Sequence, residues 1–519
     1  MHTIEAALGL VVVAIGVAAA AGRLRTPAPS LLVLVGLGIG FIPGFTALHV
    51  SPDLVTLGVL PPLLFSAAQQ ISLIDLRQVW RPVASLAVGL VVVTAVVVAS
   101  VAHAIDPRIS GAVAFTFGAV LASTDPVAVT ALARELRLPA RIGTLVQAES
   151  LFNDATSLVL FEVAVAAAVR GHVDAGDAVV RFVVLGAGGT AIGIVTGLLA
   201  GFGLRRASDP TAQAALALAT PYVAAVAANA ADVSPVTAVI VAGLMLGRRR
   251  VRSRQPAGRL LAASVYDVVV FVLENAIFAV IGLELASFLR DLPLSDRGTT
   301  IALLAAVTAA LLIARAAALA VPALLPAART SDDAHAPWRV AAIVTWAGAR
   351  GVIPLAAALS IPTTTHSGAP FPHRSMLLVV ATGVVVVTLV VQGTTLGPLV
   401  RRLGVMTAPA DEAAERLRAQ YALAIAALDH LEAVADSVEA PDAAVQQLRT
   451  ELQQQAEASG QRLDQPGRAS TGQSAVLRGG VLDVQAEELA RLRTAGEISA
   501  ATFRELQRQL DLEHARLSE

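Results

Sequence analysis

Long apolar stretches, separated by short polar loops that carry arginine, fill the chain up to about residue 402. A membrane-spanning α-helix needs about 20 mostly apolar residues. On that measure we predict thirteen membrane helices, at about 4–21, 31–45, 54–70, 83–104, 109–132, 142–169, 179–204, 211–228, 235–247, 264–289, 299–326, 338–360 and 375–400. Stretches 31–45 and 235–247 are short for a full span, so a count of twelve stays open. The pattern predicts an all-α polytopic membrane protein.

Composition supports this class and excludes several others. Hydrophobic residues make up 55% of the 519 residues and charged residues 15%, whereas soluble domains carry roughly a quarter. Cysteine is absent, which excludes disulfides and thiolate sites. All nine histidines fall in loops, segment ends or the tail, so we expect no histidine-based metal or enzyme site in the membrane. Lysine is also absent, which excludes the lysine-containing phosphate loop. We therefore expect an ion-gradient-driven transporter rather than an enzyme, with no cofactor and no nucleic-acid partner.

Arginine marks alternate loops. One set of loops carries Arg23, Arg25, Arg77, Arg81, Arg134, Arg137, Arg141, Arg205, Arg206, Arg248, Arg249, Arg250, Arg252, Arg254, Arg259, Arg329, Arg401 and Arg402. The other set carries only Arg108, Arg170, Arg290, Arg297 and Arg374. Because cytoplasmic loops are enriched in basic residues, the richer side is predicted to be cytoplasmic. The N-terminus is then outside, the C-terminus is inside, and the number of spans is odd. Residues 1–21 carry Glu5 and no basic leader, so we predict a retained first helix.

The composition changes after Arg402, and we predict a transmembrane domain over 1–405 and a cytoplasmic helical tail over 406–519. The tail is predicted to hold a coiled-coil-like region at 411–455, a linker at 456–480 and helices within 481–517. The first region has apolar positions spaced by four and three, at Leu417, Tyr421, Ala424, Leu428, Leu431, Ala435 and Val438. A self-packed hairpin, a dimer contact and a regulatory module all fit this pattern.

Two carboxylates lie in the middle of the predicted helix 142–169. Glu149 and Asp154 stand there with Ser150 and Asn153. A charge at hydrocarbon depth costs several kcal/mol, so intramembrane acids are candidates for function. A spacing of four places Ser150 with Asp154, and Glu149 with Asn153, on one helix face. This face offers oxygen ligands and a titratable group. The structural alternative is that Glu149 only pairs with an arginine to fix helix packing.

Two other predicted helices are interrupted. Pro126 follows Asp125 in 109–132, and it frees backbone carbonyls near Ala122 because it lacks an N–H and clashes with the preceding turn. The helix 338–360 contains Gly348-Ala349-Arg350-Gly351 and Pro354. Paired interrupted helices in the two halves of a chain indicate an inverted-repeat transporter, whose half-helix ends bind ions. Arg350 is predicted to compensate the facing half-helix ends or an acid.

Three further charged residues lie at membrane depth. Arg315, inside 299–326, needs a carboxylate, and Glu149 is the best candidate. Glu274, beside Asn275, fits a structural contact and a site role equally well. Glu162 is expected to be structural or to lie in a vestibule.

Taken together and in this order, these motifs resemble the sodium/proton exchangers, and specifically the electroneutral branch of the monovalent cation/proton antiporters. The most specific are Ser123-Thr124-Asp125-Pro126, Glu149-Ser150-Leu151-Phe152-Asn153-Asp154 and Gly348-Ala349-Arg350-Gly351. Weaker ones are Leu60-Pro61-Pro62-Leu63-Leu64-Phe65, Ile313-Ala314-Arg315 and Glu274-Asn275-Ala276-Ile277-Phe278. The resemblance implies a bundle of about thirteen helices with inverted repeats, usually a homodimer. In that fold a core domain moves against a dimerisation domain, and two broken helices, here 109–132 and 338–360, cross at the ion site.

The resemblance also implies roles for individual residues. Asp154 would be the exchanging carboxylate, sodium would bind at Asp154 and Asp125, and the residues flanking the ion would be Thr124, Ser150 and Asn153. Glu149 with Arg315 looks like the family's buried ion pair, and Asn153-Asp154 resembles the electroneutral pattern. One position departs from the family. Ser66 stands where many members carry an acid, which bears on ion selectivity.

The function implied is exchange of cytoplasmic sodium for external protons across a bacterial plasma membrane, with lithium also accepted, for pH and sodium homeostasis. A potassium/proton antiporter is the alternative within transport. A gated cation channel is the alternative from another class, and it would pass current without proton coupling. The expected partners are sodium, protons, membrane lipid and a second copy of the chain.

Overall fold

The structure is a computed structural model of the 519-residue chain. It describes residues 9, 12–17, 19–20, 28–42, 54–71, 73–124, 140–170, 175–250, 256–324, 337–366, 368–405, 409–434, 442–464, 484–485, 488–489 and 491. Within these ranges the chain is helical apart from turns and one isolated antiparallel bridge, between Thr364 and Pro370. The prediction of an all-α protein is confirmed.

The chain divides into two compact units, Met1–Met406 and Thr407–Glu519. The first contains α1 (Ala28–Gly40), α2 (Leu60–Gln70), α3 (Leu73–Ala84), α4 (Val91–Ile105), α5 (Gly111–Ala122), α6 (Ala140–Arg170), α7 (Ala175–Arg206), α8 (Pro210–Ala230), α9 (Pro235–Arg250), α10 (Pro256–Asp291), α11 (Leu294–Leu324), α12 (Pro337–Trp346), α13 (Val352–Leu359) and α14 (Arg374–Leu403). Wide π-helical turns, Leu54–Val59 and Ser85–Leu90, precede α2 and join α3 to α4. The second unit contains α15 (Pro409–Val434) and α16 (Asp442–Asp464).

Several helices have the length and apolarity of membrane spans. Among the described residues seven qualify: Val79–Ile105, Ile142–Arg170, Gly176–Arg206, Pro210–Ala230, Gly258–Arg290, Leu294–Ala320 and Arg374–Leu403. Four apolar helices are shorter, Leu31–Gly40, Leu54–Gln70, Gly111–Ala122 and Pro235–Arg248. The predicted count of thirteen spans stays a prediction.

Many helices extend beyond the apolar stretches that predicted them. α3 begins at Leu73, so Arg77 and Arg81 lie in a helix and not in the loop expected for them. α10 begins at Pro256 and likewise contains Arg259. Hydropathy marks only the part of a helix that lies in hydrocarbon, whereas the backbone hydrogen bonds continue into the polar interface. Arginine is also a good helix former. The predicted boundaries were wrong for this reason.

Polar contacts join helix ends that the arginine pattern assigns to one side. Arg108, after α4, binds both oxygens of Asp106 at 2.8 Å and lies 3.5 Å from Asp296 in the first turn of α11. Arg290, near the end of α10, donates to the carbonyl of Gly40 at the end of α1. All these groups fall on the side predicted to be external.

A close contact between α4 and α5 positions the end of α5. A side chain at Gly118 would collide with the carbonyl of Ala95, so the two backbones touch there. Gly118 lies one turn before Ala122, the last residue of α5. Any larger residue at Gly118 would push the interrupted helix away from α4.

In the second unit α15 and α16 pack against each other as a hairpin. Ala424 and Ala456 are buried, and a Cβ at Gly460 would lie 3.6 Å from the Tyr421 ring. Residues 456–464, predicted to belong to a linker at 456–480, are part of α16, and the rest of that range lies outside the described residues. Glutamine, alanine, glutamate and arginine favour helix despite their polarity. Of the predicted helices at 481–517, only 484–485, 488–489 and 491 are described, and these are helical.

Candidate ion-binding site

α5 ends inside the apolar bundle. Its last residue is Ala122, and Ser123 is extended with φ −65° and ψ 143°. Asp125 and Pro126, expected to cause the interruption, lie outside the described residues. A helix that ends this way leaves carbonyls in its last turn without partners in the helix. The end of α5 therefore presents partial negative charge at membrane depth.

Arg350 binds this helix end. Its Nη1 donates to the carbonyl of Ala122 at 2.9 Å and to the carbonyl of Ser123 at 2.6 Å. Arg350 lies in the non-helical stretch Ala347–Gly351 between α12 and α13. Its own N–H donates to Oγ1 of Thr388 on α14, at 3.1 Å. The two interrupted helices thus meet through Arg350, whose charge faces the negative end of α5.

Arg315 binds the end of α12, the first half of the second interrupted helix. Its Nε and Nη2 donate to the carbonyl of Val344 in the last turn of α12, at 3.2 and 3.1 Å. Its Nη1 and Nη2 also donate to the two carboxylate oxygens of Glu149, both at 2.8 Å. Both side chains are buried, and bidentate pairs are the strong form of this interaction. Glu149, the partner expected for Arg315, is thus the acid that it contacts.

Glycine makes room for this arrangement. A Cβ at Gly348 would collide with Nε and Cδ of Arg315. The glycine in the second interrupted helix is therefore needed for the guanidinium to reach both Val344 and Glu149. Its contribution is space, since any side chain at that position would displace the arginine.

The polar face of α6 contacts the extended residues after α5. The Ser123 hydroxyl donates to the carboxylate of Asp154. Asn153 makes two contacts with Thr124: its Nδ2 donates to Oγ1 at 2.6 Å, and its Oδ1 accepts from the backbone N–H at 3.3 Å. Ser150 donates to the Thr124 carbonyl at 2.5 Å. The predicted residues Asp154, Asn153, Ser150 and Thr124 are therefore brought together.

Asn153 also connects this cluster to the ion pair. Its Nδ2 lies 3.1 Å from Oε1 of Glu149, one turn away on α6. The network runs from Arg315 through Glu149 and Asn153 to Thr124. All these side chains are buried, with Glu149 1% and Asp154 2% exposed. A movement of the end of α5 would therefore alter the contacts of the Glu149–Arg315 ion pair.

Sequence reasoning missed three participants. Ser123 belongs to the motif at the predicted break but was not predicted as a site residue, and it contacts Asp154 directly. Ser157, one turn beyond Asn153, donates to the carbonyl of Ala119 at 2.7 Å and ties α6 to α5. Thr388 holds the backbone of Arg350. Ser123 could have been found from its place beside Thr124 at the predicted break, but nothing local marks Thr388.

The remaining predicted residues lie elsewhere or are not described. Glu274 is partly buried on α10, and the neighbouring Asn275 bonds to Phe271 within the same helix. Glu162 lies further along α6, with Oε1 at 3.5 Å from the Ser234 hydroxyl. Ser66 is buried on α2. Asp125, expected to bind sodium with Asp154, falls outside the described residues.

The chemistry of this cluster is that of hard oxygen donors. The Ser123 hydroxyl contacts the carboxylate of Asp154, and Ser150 and Asn153 contact the next residue, Thr124. Hard cations favour such oxygen ligands over sulfur. No group of three or more His, Cys, Asp or Glu side chains that could hold a metal occurs in the described part of the chain. The cluster offers one carboxylate with neutral oxygen donors near it.

Comparison with known proteins agrees with this chemistry. A family model described as "Sodium/hydrogen exchanger, transmembrane" matches residues 9–402. An uncharacterized Na(+)/H(+) exchanger of Mycobacterium tuberculosis (strain ATCC 25618 / H37Rv) is 34% identical over 500 residues, which covers 92% of this chain and 90% of that protein. The sodium, potassium, lithium and rubidium/H(+) antiporter of Bacillus pumilus (strain SAFR-032) is 31% identical over 360 residues, which covers 66% of this chain and 54% of that protein.

A solved structure shares the fold. The sodium proton antiporter MjNhaP1 from Methanocaldococcus jannaschii at pH 8 matches with a TM-score of 0.62 and 19% identity, covering 78% of this chain and 99% of that chain. The polytopic membrane fold predicted from hydropathy is confirmed. The family predicted from the motifs is confirmed by the family model and the curated relatives. The chain belongs to the sodium/hydrogen exchanger family of multi-pass membrane cation/proton antiporters.

Proposed function

We propose that Asp154 binds either one sodium ion or one proton, and that alternation between these two loads drives exchange of cytoplasmic sodium for external protons. The observation that carries the proposal is the place of Asp154. It is buried on α6 and accepts the hydroxyl of Ser123 just beyond the interrupted end of α5. Serine can donate to a carboxylate and can also accept from a carboxylic acid. This partner therefore suits both protonation states.

Competition follows from charge. An ionised Asp154 attracts a small cation, with oxygens of Asn153, Thr124 and Ser150 nearby. A protonated Asp154 is neutral and cannot hold the cation. The empty carboxylate is costly to carry through an apolar barrier, so only the loaded forms cross. This rule couples the two fluxes without any further device.

The net charge of the site in its two loaded forms predicts electroneutral exchange. Glu149 and Arg315 form a pair of zero net charge. Arg350 contacts the carbonyl end of α5 and does not itself bind the load, so its charge enters both loaded forms equally. The sodium-loaded and proton-loaded forms of the site then carry the same net charge. Membrane potential therefore does not favour either form.

Orientation, cellular role and assembly extend the proposal. The arginine pattern supports an external N-terminus and a cytoplasmic C-terminus in a bacterial plasma membrane. Exchange in this direction serves sodium and pH homeostasis. We expect lithium to be carried as well, since it is also a small hard cation, and we expect a homodimer by resemblance to the family.

We propose that the tail regulates the membrane domain without taking part in ion binding. The site residues described above all lie between Ser123 and Thr388. A chain ending near Met406 should still exchange sodium for protons, with a change in either its response to cytoplasmic pH or its dimer stability. Proton flux against pH, for full-length and shortened protein at matched amounts in liposomes, tests this. A folded but inactive shortened protein would contradict the division.

Potassium/proton exchange is the second candidate. It is favoured by the Bacillus pumilus relative, whose name includes sodium, potassium, lithium and rubidium. Ser66, where many family members carry an acid, also removes a charge that would favour small cations. The two candidates share the same carboxylate and differ only in which cation fits beside it.

A proteoliposome assay separates these proposals. A pH-sensitive dye inside the vesicles reports proton flux after a step in external sodium, lithium or potassium. Sodium and lithium should drive proton flux that is unchanged when valinomycin and potassium clamp the membrane potential. A larger response to potassium would favour the second candidate. Current without proton flux would indicate a channel and contradict both.

A further inference from the structure

Gln392 is a buried polar residue that the proposed mechanism does not use. It lies on α14 and is 3% exposed. Within the described part of the chain, neither Nε2 nor Oε1 of its side chain has a hydrogen-bond partner. Buried amides in folded proteins are almost always hydrogen-bonded, because burial without a partner is unfavourable. This amide therefore calls for a specific partner.

Contacts on either side place Gln392 at the height of the second interrupted helix. Four residues before it, Thr388 accepts the N–H of Arg350. Three residues after it, Thr395 accepts Nε1–H of Trp346, the last residue of α12, at 2.8 Å. The interruption Ala347–Gly351 lies between these two contacts.

The strip of α14 that carries Gln392 faces inward. Thr388, Gln392 and Leu396 are spaced by four, so they share a helix face, and all three are buried. Leu396 packs in an apolar cluster with Val344 and Ala347, at the end of α12. The amide of Gln392 is therefore held between that apolar cluster and the polar contact at Thr388.

The interruption supplies polar groups for a bridge. Three of its N–H groups already have partners: Ala347 and Gly348 donate to the carbonyls of Ile343 and Thr345, and Arg350 donates to Thr388. The carbonyls before Gly351 lie outside a regular helix and so lack the N–H four residues further on. α13 begins at Val352, and Gly351 before it offers no side-chain cap. The N–H groups of the first turn of α13 are thus left to other partners. A ligand here would reach both the backbone of the break and α14.

The chemistry of the amide selects the ligand. Oε1 needs a donor and Nε2 needs an acceptor. A metal cation cannot accept from Nε2, and a simple anion cannot donate to Oε1. Water does both, and buried waters typically bridge polar groups that have no other partner.

We propose that Gln392 binds a water molecule that bridges its amide to the backbone of Ala347–Gly351. This water stiffens the interruption and so positions Arg350 over the end of α5. Gln392 is then a positioning residue for the ion site, and in this respect the inference rests on the proposed role of Asp154. Groups that orient a first layer of ligands typically change metal affinity by 10–100-fold when they are lost.

The test compares three variants in the proteoliposome assay. Gln392→Leu removes both polar atoms and should raise the sodium concentration for half-maximal exchange about tenfold, at the lower end of that range. Gln392→Asn keeps an amide and leaves room for another water, so it should stay close to wild type. Gln213→Leu is the matched control. Gln213 is also a buried glutamine, but it donates to the Ala207 carbonyl, and its loss should lower the melting temperature without changing half-saturation.

A cryo-EM map that resolves water gives a second readout that does not depend on transport. Density within hydrogen-bonding distance of both the Gln392 amide and the 347–351 backbone is expected. The inference would be overturned if the map showed only carbon atoms around the Gln392 amide and if Gln392→Leu had a raised melting temperature and an unchanged sodium concentration for half-maximal exchange. Failure of the proposed function would give a different result, because the Asp154→Asn variant would then exchange ions as fast as the wild type does.

Discussion

The two carboxylates in the middle of α6 are both buried and have different partners. Glu149 gives both oxygens to the guanidinium of Arg315, which can only donate. Asp154, five residues later, accepts a serine hydroxyl, which can donate or accept. Their burial is nearly equal, at 1% and 2% exposure. Burial alone therefore does not distinguish the two acids, whereas the chemistry of their partners does, and this is the difference on which the proposed exchanging role of Asp154 rests.

Under the proposed function, this difference divides one helix face into a fixed part, around Glu149, and a working part, around Asp154. The fixed part joins α6 to α11 and α12 through Arg315 and the Val344 carbonyl. The working part joins α6 to the residues after α5, through Ser123 and Thr124. Asn153 contacts both parts. Substitutions can therefore test whether one part governs stability and the other part governs ion exchange.

The largest effect on exchange is expected from Asp154→Asn. The change removes the titratable charge and little volume, so the protein should fold and sodium-dependent proton flux should fall to the level of empty vesicles. Asp209→Asn is a matched control at the start of α8. Asparagine caps a helix as well as aspartate does, so exchange should be unchanged. Flux that persists in Asp154→Asn would assign the exchanging role elsewhere.

The largest effect on stability is expected from breaking the fixed part. Glu149→Gln or Arg315→Gln leaves one buried charge without compensation, which typically costs about 3–5 kcal/mol. Thermal unfolding in detergent should show this loss for each single variant. The double variant should recover part of it, because no uncompensated charge remains. Simple addition of the two losses would show that the residues do not act as partners.

A smaller and more specific effect is expected at Ser123. Ser123→Ala removes the hydroxyl on Asp154 and should shift the pH dependence of exchange and weaken sodium binding. Ser157→Ala is the control, because Ser157 also joins α6 to α5 but contacts the Ala119 carbonyl. Its loss should cost about 1 kcal/mol of stability, as for an ordinary hydrogen bond. Equal pH profiles for both variants would remove Ser123 from the working part.

The smallest effect is expected at a second acid–arginine pair, outside the membrane-spanning segments. Arg108 binds Asp106 as Arg315 binds Glu149, and it lowers the pKa of the Asp106 carboxyl. The pKa of Asp106 in the folded protein lies below the ordinary value of a free carboxyl. The pair therefore stabilises the fold fully at any pH above that ordinary value. The contribution is lost as pH falls through the lowered pKa.

The Arg108 side chain is 62% exposed, so solvent screens the pair and the change should be small. Melting temperature against pH, for wild type and Arg108→Gln, measures it. The curves should differ at neutral pH and converge in acid. A difference as large as that for Arg315→Gln would mean that exposure does not weaken such a pair.

The sequence predicted those residues of the candidate site that are energetically unfavourable inside a membrane. Two acids, two arginines and two interrupted helices within apolar stretches could be recognised because each is unfavourable there without a function. The contacts of Ser123 and Thr388 could not be predicted in this way. Hydroxyl residues are common in membrane helices, and only the fold shows which of them reach Asp154 or Arg350.

Helix ends and the tail were predicted less well, for a related reason. Hydropathy reports where hydrocarbon begins, so it could not show that α3 starts at Leu73 or that α10 starts at Pro256. In the tail, polar composition suggested a linker where α16 continues to Asp464. The hairpin of α15 and α16 depends on contacts between distant residues such as Tyr421 and Gly460, which spacing alone does not reveal.

Proton release on sodium binding is the most direct test of the central claim. Purified protein in weakly buffered detergent solution is titrated with sodium chloride, and a pH indicator measures the protons set free. Choline chloride corrects for ionic strength. The titration is repeated at a series of starting pH values. If Asp154 holds either load, wild type should release close to one proton for each sodium ion bound at the acid end of the series, where the carboxyl is protonated, and fewer as the pH rises, whereas Asp154→Asn should release none. Sodium binding to wild type with no proton release at any starting pH would contradict the account.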